Sequence, residues 1–244
     1  MQSFVQPNFL SQALALRAEG ARLLAGGTDF WPAELTNPPA RSPKTMVVDL
    51  GTIAALHGVE KAADGSWRIG ATTTWSEVAA ATLPPVFAGL QAAAREVGGP
   101  QIQNRGTIAG NLCNASPAAD GVPPLLALDA RVELASTHAT RLLPLSAFVL
   151  GPRRTALRAD EIVTAIVIPP QTRETRSAFL KLGARRYLLI SIVMTAAVVE
   201  IADGRAAAAR VAVGACSPVA VRLSALEAAL AGMPIRDLGR VVSP

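Results

Sequence analysis

Two glycine-containing stretches of this 244-residue chain carry the residue types and spacing best suited to holding a polar ligand. The longer stretch runs from Arg105 to Ala130, and its glycines let the backbone approach a ligand closely or adopt positive φ angles. Its small polar side chains offer hydrogen bonds, and Pro117, Pro123 and Pro124 interrupt regular structure. The stretch predicts a wall of accessible backbone around a polar group. An ordinary connection between two domains explains the same residues equally well.

The shorter stretch is an apolar run from Leu23 that ends in Gly26-Gly27-Thr28-Asp29. A strand that stops at two glycines before a helix can direct successive backbone N–H groups at a phosphate. Taken alone, the turn is more typical of a plain strand-to-helix connection. The sequence contains neither the G-x-G-x-x-G dinucleotide fingerprint nor a G-x-x-x-x-G-K-[ST] phosphate loop.

Cysteine and histidine are too scarce to build a metal centre or an iron–sulfur site. Cys113 and Cys216 are the only cysteines and do not form a C-x-x-C pair, and His57 and His138 are the only histidines. Four-ligand metal and iron–sulfur sites need clustered Cys and His, so no metal site is expected. Cys113 is interpreted as a small packing residue rather than a nucleophile. No Ser-His-Asp or paired-carboxylate arrangement is evident, so no catalytic residue is assigned.

Composition indicates a folded chain of two or three small units. Half of the residues are hydrophobic and 17% are charged, with a formal net charge of +5. No apolar run is long enough to span a membrane, and the N-terminus lacks the features of a secretory signal, so the cytoplasm is predicted. Nucleic-acid binding is not expected, because aromatic residues make up only 4%. Arg153, Arg154 and Arg158 form either a solvated face or a docking surface for an acidic partner.

Hydrophobic periodicity and turn residues divide the chain into units at 1–56, 57–171 and 172–244. In the first unit, the pattern predicts a helix over 9–19, a strand over 22–25, a short helix over 29–35 and a strand over 45–50. The second unit should contain a hairpin around Asp64-Gly65 and a capping box at Thr74 and Glu77. It continues with a helix over 86–96 and strands over 131–136, 140–143 and 160–168. In the third unit we expect strands over 178–182, 190–201 and 206–215, a helix over 220–231 and a weakly structured tail.

The two glycine stretches, taken in order and spacing, resemble a known pair of motifs. AGGTD from Ala25 to Asp29 and TIAGNLCNASPAAD from Thr107 to Asp120 are similar to the two FAD-binding motifs of the flavoprotein subunit of molybdenum hydroxylases. That family includes the medium subunit of carbon monoxide dehydrogenase and the FAD domain of xanthine dehydrogenase. AFLKLGARRYLLI around Lys181 resembles a third motif of the family. The resemblance covers nearly the whole chain.

The resemblance implies an α+β fold with a two-part FAD-binding domain of the vanillyl-alcohol-oxidase type. A C-terminal domain with antiparallel strands follows, and it is expected to be shortened because relatives run some tens of residues further. FAD is expected to bind without a covalent link. Carried over by position, the cofactor-binding residues are Leu24, Ala25, Gly26, Gly27, Thr28, Asp29, Phe30, Thr107, Ile108, Ala109, Gly110, Asn111, Asn114, Asp120, Ile162, Val163 and Lys181.

The resemblance also implies a role for each group of residues. The backbone of 25–29 would meet the pyrophosphate, and 107–111 would form the opposing wall. Asn114 and Asp120 match polar cofactor contacts, whereas Ile162 and Val163 match a strand that touches the ring system. A cation at Lys181 would lie near the flavin ring and favour its anionic reduced form. Tyr187 either stacks on the flavin ring or is buried with its hydroxyl hydrogen-bonded. The sequence departs from the family pattern at Ala109, where many relatives have Gly, and at Leu189, where an Asp is common.

Function follows from the resemblance as an electron-transfer subunit. The partners would be a small [2Fe–2S] subunit and a large molybdopterin subunit, forming a heterotrimer that can dimerise. Electrons would pass from the molybdenum site through the iron–sulfur subunit to FAD and on to a quinone, NAD or oxygen. One alternative is a flavin-free assembly or binding module derived from the family. The other is a stand-alone flavin oxidase, which often uses a covalent histidine link that neither histidine here matches.

Overall fold

The computed structural model describes residues 3–36, 46–183 and 190–241. Its strands are β1 (Phe4–Val5), β2 (Arg22–Leu24), β3 (Val47–Asp49), β4 (Val59–Lys61), β5 (Trp67–Gly70), β6 (Arg131–Ala135), β7 (Thr140–Pro144), β8 (Val149–Gly151), β9 (Arg154–Thr155), β10 (Ile162–Ile168), β11 (Glu174–Leu182), β12 (Val193–Ala202), β13 (Arg205–Gly214) and β14 (Val221–Arg222). Its helices are α1 (Leu10–Ala18), α2 (Phe30–Thr36), α3 (Trp75–Ala80), α4 (Ala88–Glu96), α5 (Pro100–Gln103), α6 (Ile108–Asn114), α7 (Val122–Ala127), α8 (Leu145–Phe148) and α9 (Ser224–Leu230), with 3₁₀ turns at Ala54–Leu56, Pro85–Phe87 and Ile235–Arg240.

The N-terminal part is a small three-stranded parallel sheet in the order β1-β3-β2. Helix α1 buries Ala13 and Leu14 in the adjoining core, and Gly20 follows it with a φ of +91°, which suits a helix end. The predicted helix over 9–19 and strand over 22–25 are therefore confirmed. Strand β2 leads directly into the Gly26-Gly27 turn, and α2 begins at Phe30.

The second part is a five-stranded antiparallel sheet in the order β4-β5-β10-β6-β7. The predicted hairpin is present, since Val59–Lys61 pairs with Trp67–Gly70 around the Asp64-Gly65 turn. The capping box is also present: the Thr74 hydroxyl accepts from the Glu77 N–H, and the Glu77 carboxylate accepts from the Thr74 N–H at 2.8 Å. Strand β10 lies at the centre of this sheet, which places Ile162 and Val163 in the protein interior.

The third part is a four-stranded antiparallel sheet in the order β11-β12-β13-β14. Its long strands occur where the sequence predicts them. The predicted helix over 220–231 is wrong at its start, because Val221–Arg222 pairs with β13 and only Ser224–Leu230 is helical. The tail, which was expected to be weakly structured, forms a 3₁₀ turn over Ile235–Arg240 whose Leu238 packs against the core around Leu230.

The central stretch from 105 to 130 is more regular than its glycines and prolines indicate. It contains helices α6 and α7, separated by the segment 115–121. Pro123 and Pro124 do not interrupt α7, because they lie in its first turn, where the missing N–H groups need no partner within the helix. Together these three sheets, the two-stranded β8–β9 sheet and the helices make an α+β fold. No helix in the described ranges is long and apolar enough to cross a membrane.

Candidate cofactor-binding site

A cavity of about 540 Å³ opens between the parallel sheet and the second part of the fold. One wall is the turn that follows β2, and the other is α6 with the residues before it. The buried strand β10 closes the floor. The predicted residues that line this cavity are Leu24, Ala25, Gly26, Gly27, Thr28, Asp29, Phe30, Thr107, Ala109, Gly110, Asn111, Asn114, Ile162 and Val163.

The turn after β2 packs directly on the other glycine stretch. A Cβ placed on Gly26 would lie 1.9 Å from the carbonyl oxygen of Arg105, so only glycine fits there without a backbone shift. Gly27 has a φ of +78°, and a Cβ there would lie 2.8 Å from the Trp31 indole ring. Gly26 therefore brings the two walls of the cavity together, whereas Gly27 lets the turn pack closely on the start of α2.

Two hydrogen bonds fix the start of helix α6, one within the helix itself and one to the segment that precedes α3. The Thr107 hydroxyl caps it by accepting from the Gly110 N–H at 3.1 Å, and the Ile108 N–H donates to the Thr73 carbonyl at 3.0 Å. The Ile108 side chain points away from the cavity and is fully buried in the large hydrophobic core. Ile108 therefore positions the wall from behind and does not line the cavity.

Asn111 has an unpaired polar atom on the inner side of this wall. Its Oδ1 is buried, has no hydrogen-bond partner among the described residues and lies beside Gly121, where a Cβ would come within 2.9 Å of it, so it faces the protein interior and not the cavity. The lining itself is made of glycines and small polar residues, including Gly26, Gly27, Thr28 and Gly110, whose backbone a ligand can approach closely. A diphosphate-containing cofactor such as FAD fits a wall of this kind, because successive backbone N–H groups can bind phosphate oxygens.

A chain of polar contacts crosses from one wall to the other. The Asn114 amide Nδ2 donates to Asp29 Oδ1 at 2.8 Å, which joins α6 to the turn after β2. The Arg153 guanidinium in turn donates to Asn114 Oδ1, and also to the Asn114 carbonyl at 3.3 Å. The sequence did not predict the contact between Arg153 and Asn114, because the sequence around Arg153 shows only a basic turn and its partner is 39 positions away.

Asp120 and Lys181 lie outside the cavity lining and bind each other. Lys181 Nζ lies 2.7 Å from Asp120 Oδ2 and donates to the Glu96 carbonyl at 3.0 Å, and the Ser191 hydroxyl donates to Asp120 Oδ1 at 2.7 Å. Burial raises the pKa of Asp120 above its ordinary value, and the contacts with Lys181 and Ser191 act in the opposite direction. This cluster joins the second part of the fold to β11. Tyr187 and Leu189 lie outside the described residues.

Cys113 also lines the cavity, but as a neutral thiol. Burial raises its pKa to about 12, so the nucleophilic thiolate is scarcely populated at neutral pH. In the part of the chain that the structure describes, no group of three His, Cys, Asp or Glu side chains is placed to hold a metal ion.

Two family models of known proteins match this chain, one over its N-terminal portion and one over its C-terminal portion. Residues 1–171 match the family model described as the FAD binding domain in molybdopterin dehydrogenase. Residues 178–238 match the CO dehydrogenase flavoprotein C-terminal domain. The first of these models alone covers more than half of the chain.

Individual relatives and a solved structure support the same family assignment. The chain is 35% identical over 230 residues to the xanthine dehydrogenase FAD-binding subunit of Escherichia coli O157:H7, covering 93% of this chain and 78% of that protein. It is 36% identical over 187 residues to the nicotinate dehydrogenase FAD-subunit of Eubacterium barkeri, covering 74% of this chain and 61% of the relative. A solved structure of carbon monoxide dehydrogenase from Hydrogenophaga pseudoflava superposes with a TM-score of 0.85 at 28% identity, covering 96% of this chain and 81% of that chain.

Fold and comparisons together define the class as an α+β flavoprotein component of an oxidoreductase. The chain belongs to the family of FAD-binding domains in molybdopterin dehydrogenases and is an FAD-binding subunit of the molybdenum hydroxylase type. The resemblance inferred from the AGGTD and TIAGN motifs is thereby confirmed, as is the fold class.

Proposed function

We propose that this chain binds FAD non-covalently in the cavity between its two glycine stretches and relays electrons between a [2Fe–2S] subunit and an external acceptor. The observation that carries the proposal is the cavity itself, in which Gly26 packs on the Arg105 backbone and the two glycine stretches form facing walls. A molybdopterin-containing large subunit completes the proposed heterotrimer, which can dimerise. The relatives named above support this assembly, because they are FAD-binding components of dehydrogenases.

When bound, FAD supplies the electron-transfer chemistry, and the residues of this chain hold and orient it. The turn from Ala25 to Asp29 offers backbone N–H groups to the diphosphate, and Thr107–Asn111 forms the facing wall. Ile162 and Val163 provide an apolar floor that keeps water from the ring system.

The remaining predicted site residues lie outside the cavity lining and support the cavity without contacting the cofactor in this proposal. Ile108 holds α6 against the core, and Asp120 and Lys181 fix the junction between the second and third units. The unit boundaries at 56 and 171 and a cytoplasmic location are part of the same proposal. The cytoplasmic assignment is supported by the scarcity of cysteines, because the chain has only two and cannot build a disulfide framework.

The test is the visible absorption spectrum of the purified full chain during titration with FAD and, separately, with FMN. We expect protein-bound flavin bands and saturable binding with FAD, and much weaker binding with FMN, because FMN lacks the adenosine phosphate half that the glycine walls would hold. Equal binding of FAD and FMN would contradict the assignment of the walls. A chain that binds neither flavin would favour the flavin-free assembly module.

Electron relay is tested separately with the flavin-loaded chain. A small [2Fe–2S] protein that has been reduced beforehand should bleach the visible flavin bands on mixing. Addition of a quinone should then restore these bands. A flavin that reacts directly with a small organic substrate, with no iron–sulfur partner present, would point instead to the stand-alone oxidase.

A further inference from the structure

The polar contacts beside the cavity join three separate segments of the chain. Asp29 belongs to the turn after β2, Asn114 ends α6, and Arg153 lies at the tip of the β8–β9 hairpin. Asp29 and Asn114 both line the cavity, whereas Arg153 does not line it and reaches it only through Asn114. We call these three residues the clasp.

The backbone around the clasp is held in an unusual conformation. Arg153 has a φ of +57°, in the left-handed region that non-glycine residues rarely adopt, and its N–H donates to the Ala115 carbonyl at 2.9 Å. Ala115, which ends α6, is left-handed as well, with a φ of 45°. An arginine kept at a position that suits glycine indicates that its side chain contributes something that glycine would not.

The direction of the hydrogen bonds shows what that contribution is. The guanidinium donates to Asn114 Oδ1, which fixes the orientation of the amide so that its Nδ2 group faces Asp29. If the amide were reversed, its NH₂ group would face the guanidinium and its oxygen would face a carboxylate, and both contacts would be unfavourable. A cation at one end and an anion at the other therefore select one amide orientation.

We propose that Arg153 is a positioning residue of the cofactor cavity, which orients Asn114 and thereby ties the Asp29 turn to α6. The clasp also shields the Asp29 carboxylate, since the Asn114 amide donates to it and the Arg153 charge lies behind the amide. Without the clasp, a free carboxylate would lie in the wall that receives the diphosphate of the cofactor. This inference rests on the proposed function, because it assigns Arg153 to retention of FAD.

The experiment measures the rate at which FAD leaves the full-length chain after dilution, followed by the recovery of free-flavin fluorescence. Arg153→Gly should speed dissociation by about tenfold, which corresponds to about 1.4 kcal/mol and to one charge-assisted hydrogen bond at an exposed site. The same variant should unfold within about 2 °C of wild type as the apoprotein, since relief of the positive φ offsets the lost contact. A merely structural role would instead speed FAD dissociation and lower the unfolding temperature of the apoprotein together.

Arg154→Gly is the matched control, because Arg154 is exposed, adjacent, and makes no ion pair or side-chain hydrogen bond with any residue that the structure describes. Arg153→Lys, which keeps a cationic donor, should recover at least half of the lost retention. In an Asn114→Ala background, Arg153→Gly should add little, because its intermediary is gone.

Two results would overturn the inference. One is a dissociation rate for Arg153→Gly equal to those of wild type and Arg154→Gly. The other is a full tenfold effect of Arg153→Gly in the Asn114→Ala background, which would show that Arg153 does not act through the amide. A wild-type chain that takes up no FAD would refute the proposed function and this inference with it.

Discussion

The ion pair between Lys181 and Asp120 gives the sharpest stability prediction. The two side chains are only 10% and 9% exposed, and they join β11 to the segment before α7. Lys181→Met removes the cation but keeps most of the side-chain volume. Asp120 would then be left as a buried carboxylate whose remaining side-chain hydrogen bond among the described residues is the one from the Ser191 hydroxyl.

The expected cost follows from burial. Removing one partner of a buried ion pair destabilises a protein by about 3–5 kcal/mol, because the other charge stays in the interior without compensation. The Ser191 hydroxyl still donates to Asp120, so we expect the lower end, about 3 kcal/mol at neutral pH. For a chain of this size, that loss corresponds to a fall in melting temperature of about 6–12 °C.

The loss should depend on pH in a definite direction. Burial already raises the pKa of Asp120 in the folded state, and Lys181 opposes that rise. A carboxyl whose folded-state pKa is raised binds protons more readily when folded, so stability falls as the pH rises from the unfolded to the folded pKa. Removing Lys181 raises the folded pKa further and widens this window. The penalty should therefore be small near pH 4 and largest at neutral pH, about 7.

The assay is urea unfolding of wild type, Lys181→Met, Asp120→Asn and the double variant at about pH 4.5 and about pH 7.5. The double variant should be more stable than Lys181→Met at the higher pH, because no buried charge is left unpaired. Lys61→Met is the control, since Lys61 is an exposed residue of β4. A loss of less than about 1 kcal/mol from Lys181→Met at both pH values would refute the reasoning.

Two further predictions concern the cavity walls. Gly26→Ala places a Cβ 1.9 Å from the Arg105 carbonyl oxygen, so it should lower the free energy of unfolding by about 1–3 kcal/mol and weaken FAD binding. Gly239→Ala is the control, because its Cβ meets nothing within 4 Å and should change neither property. Unfolding and FAD titration check this, and a Gly26→Ala protein that matches wild type in both would contradict it. The Cys113 thiol, with a pKa of about 12, should resist a thiol reagent at mildly alkaline pH while the exposed Cys216 reacts, and both should react in urea. Rapid labelling of native Cys216→Ser protein would show that Cys113 is accessible and reactive.

Local signals in the sequence predicted those elements whose determinants lie close together in the chain. The capping box needs only Thr74 and Glu77, and the β4–β5 hairpin needs only the Asp64-Gly65 turn between two short extended segments. The stretch from 105 to 130 was harder because glycine and proline have two meanings. Pro123 and Pro124 usually end a helix, but here they begin one, and only the position of the helix start distinguishes the two cases.

The site shows the same division between local and distant determinants. The two glycine motifs identified the walls, because each wall is one continuous segment. The contacts that fix the walls join residues far apart in sequence, such as Lys181 with Asp120 and Arg153 with Asn114, at separations of 61 and 39 positions. Nothing near Arg153 indicates which amide it will bind. The tertiary fold brings these partners together, so no local pattern could have paired them.

The charges of the cavity explain why its walls are built from glycine. Arg17 and Arg22 are the cations in the part of the lining that the structure describes, and both are already engaged. Arg17 donates to the Ala21 carbonyl at 3.0 Å, and Arg22 forms an ion pair with Glu34 at 2.6 Å. Arg22 is therefore neutralised by Glu34, whereas Arg17 bonds only carbonyl oxygens and keeps its charge. One uncompensated arginine does not balance a diphosphate, so backbone N–H groups, which reach a ligand only where glycine lets the chain come close, are expected to supply much of the binding.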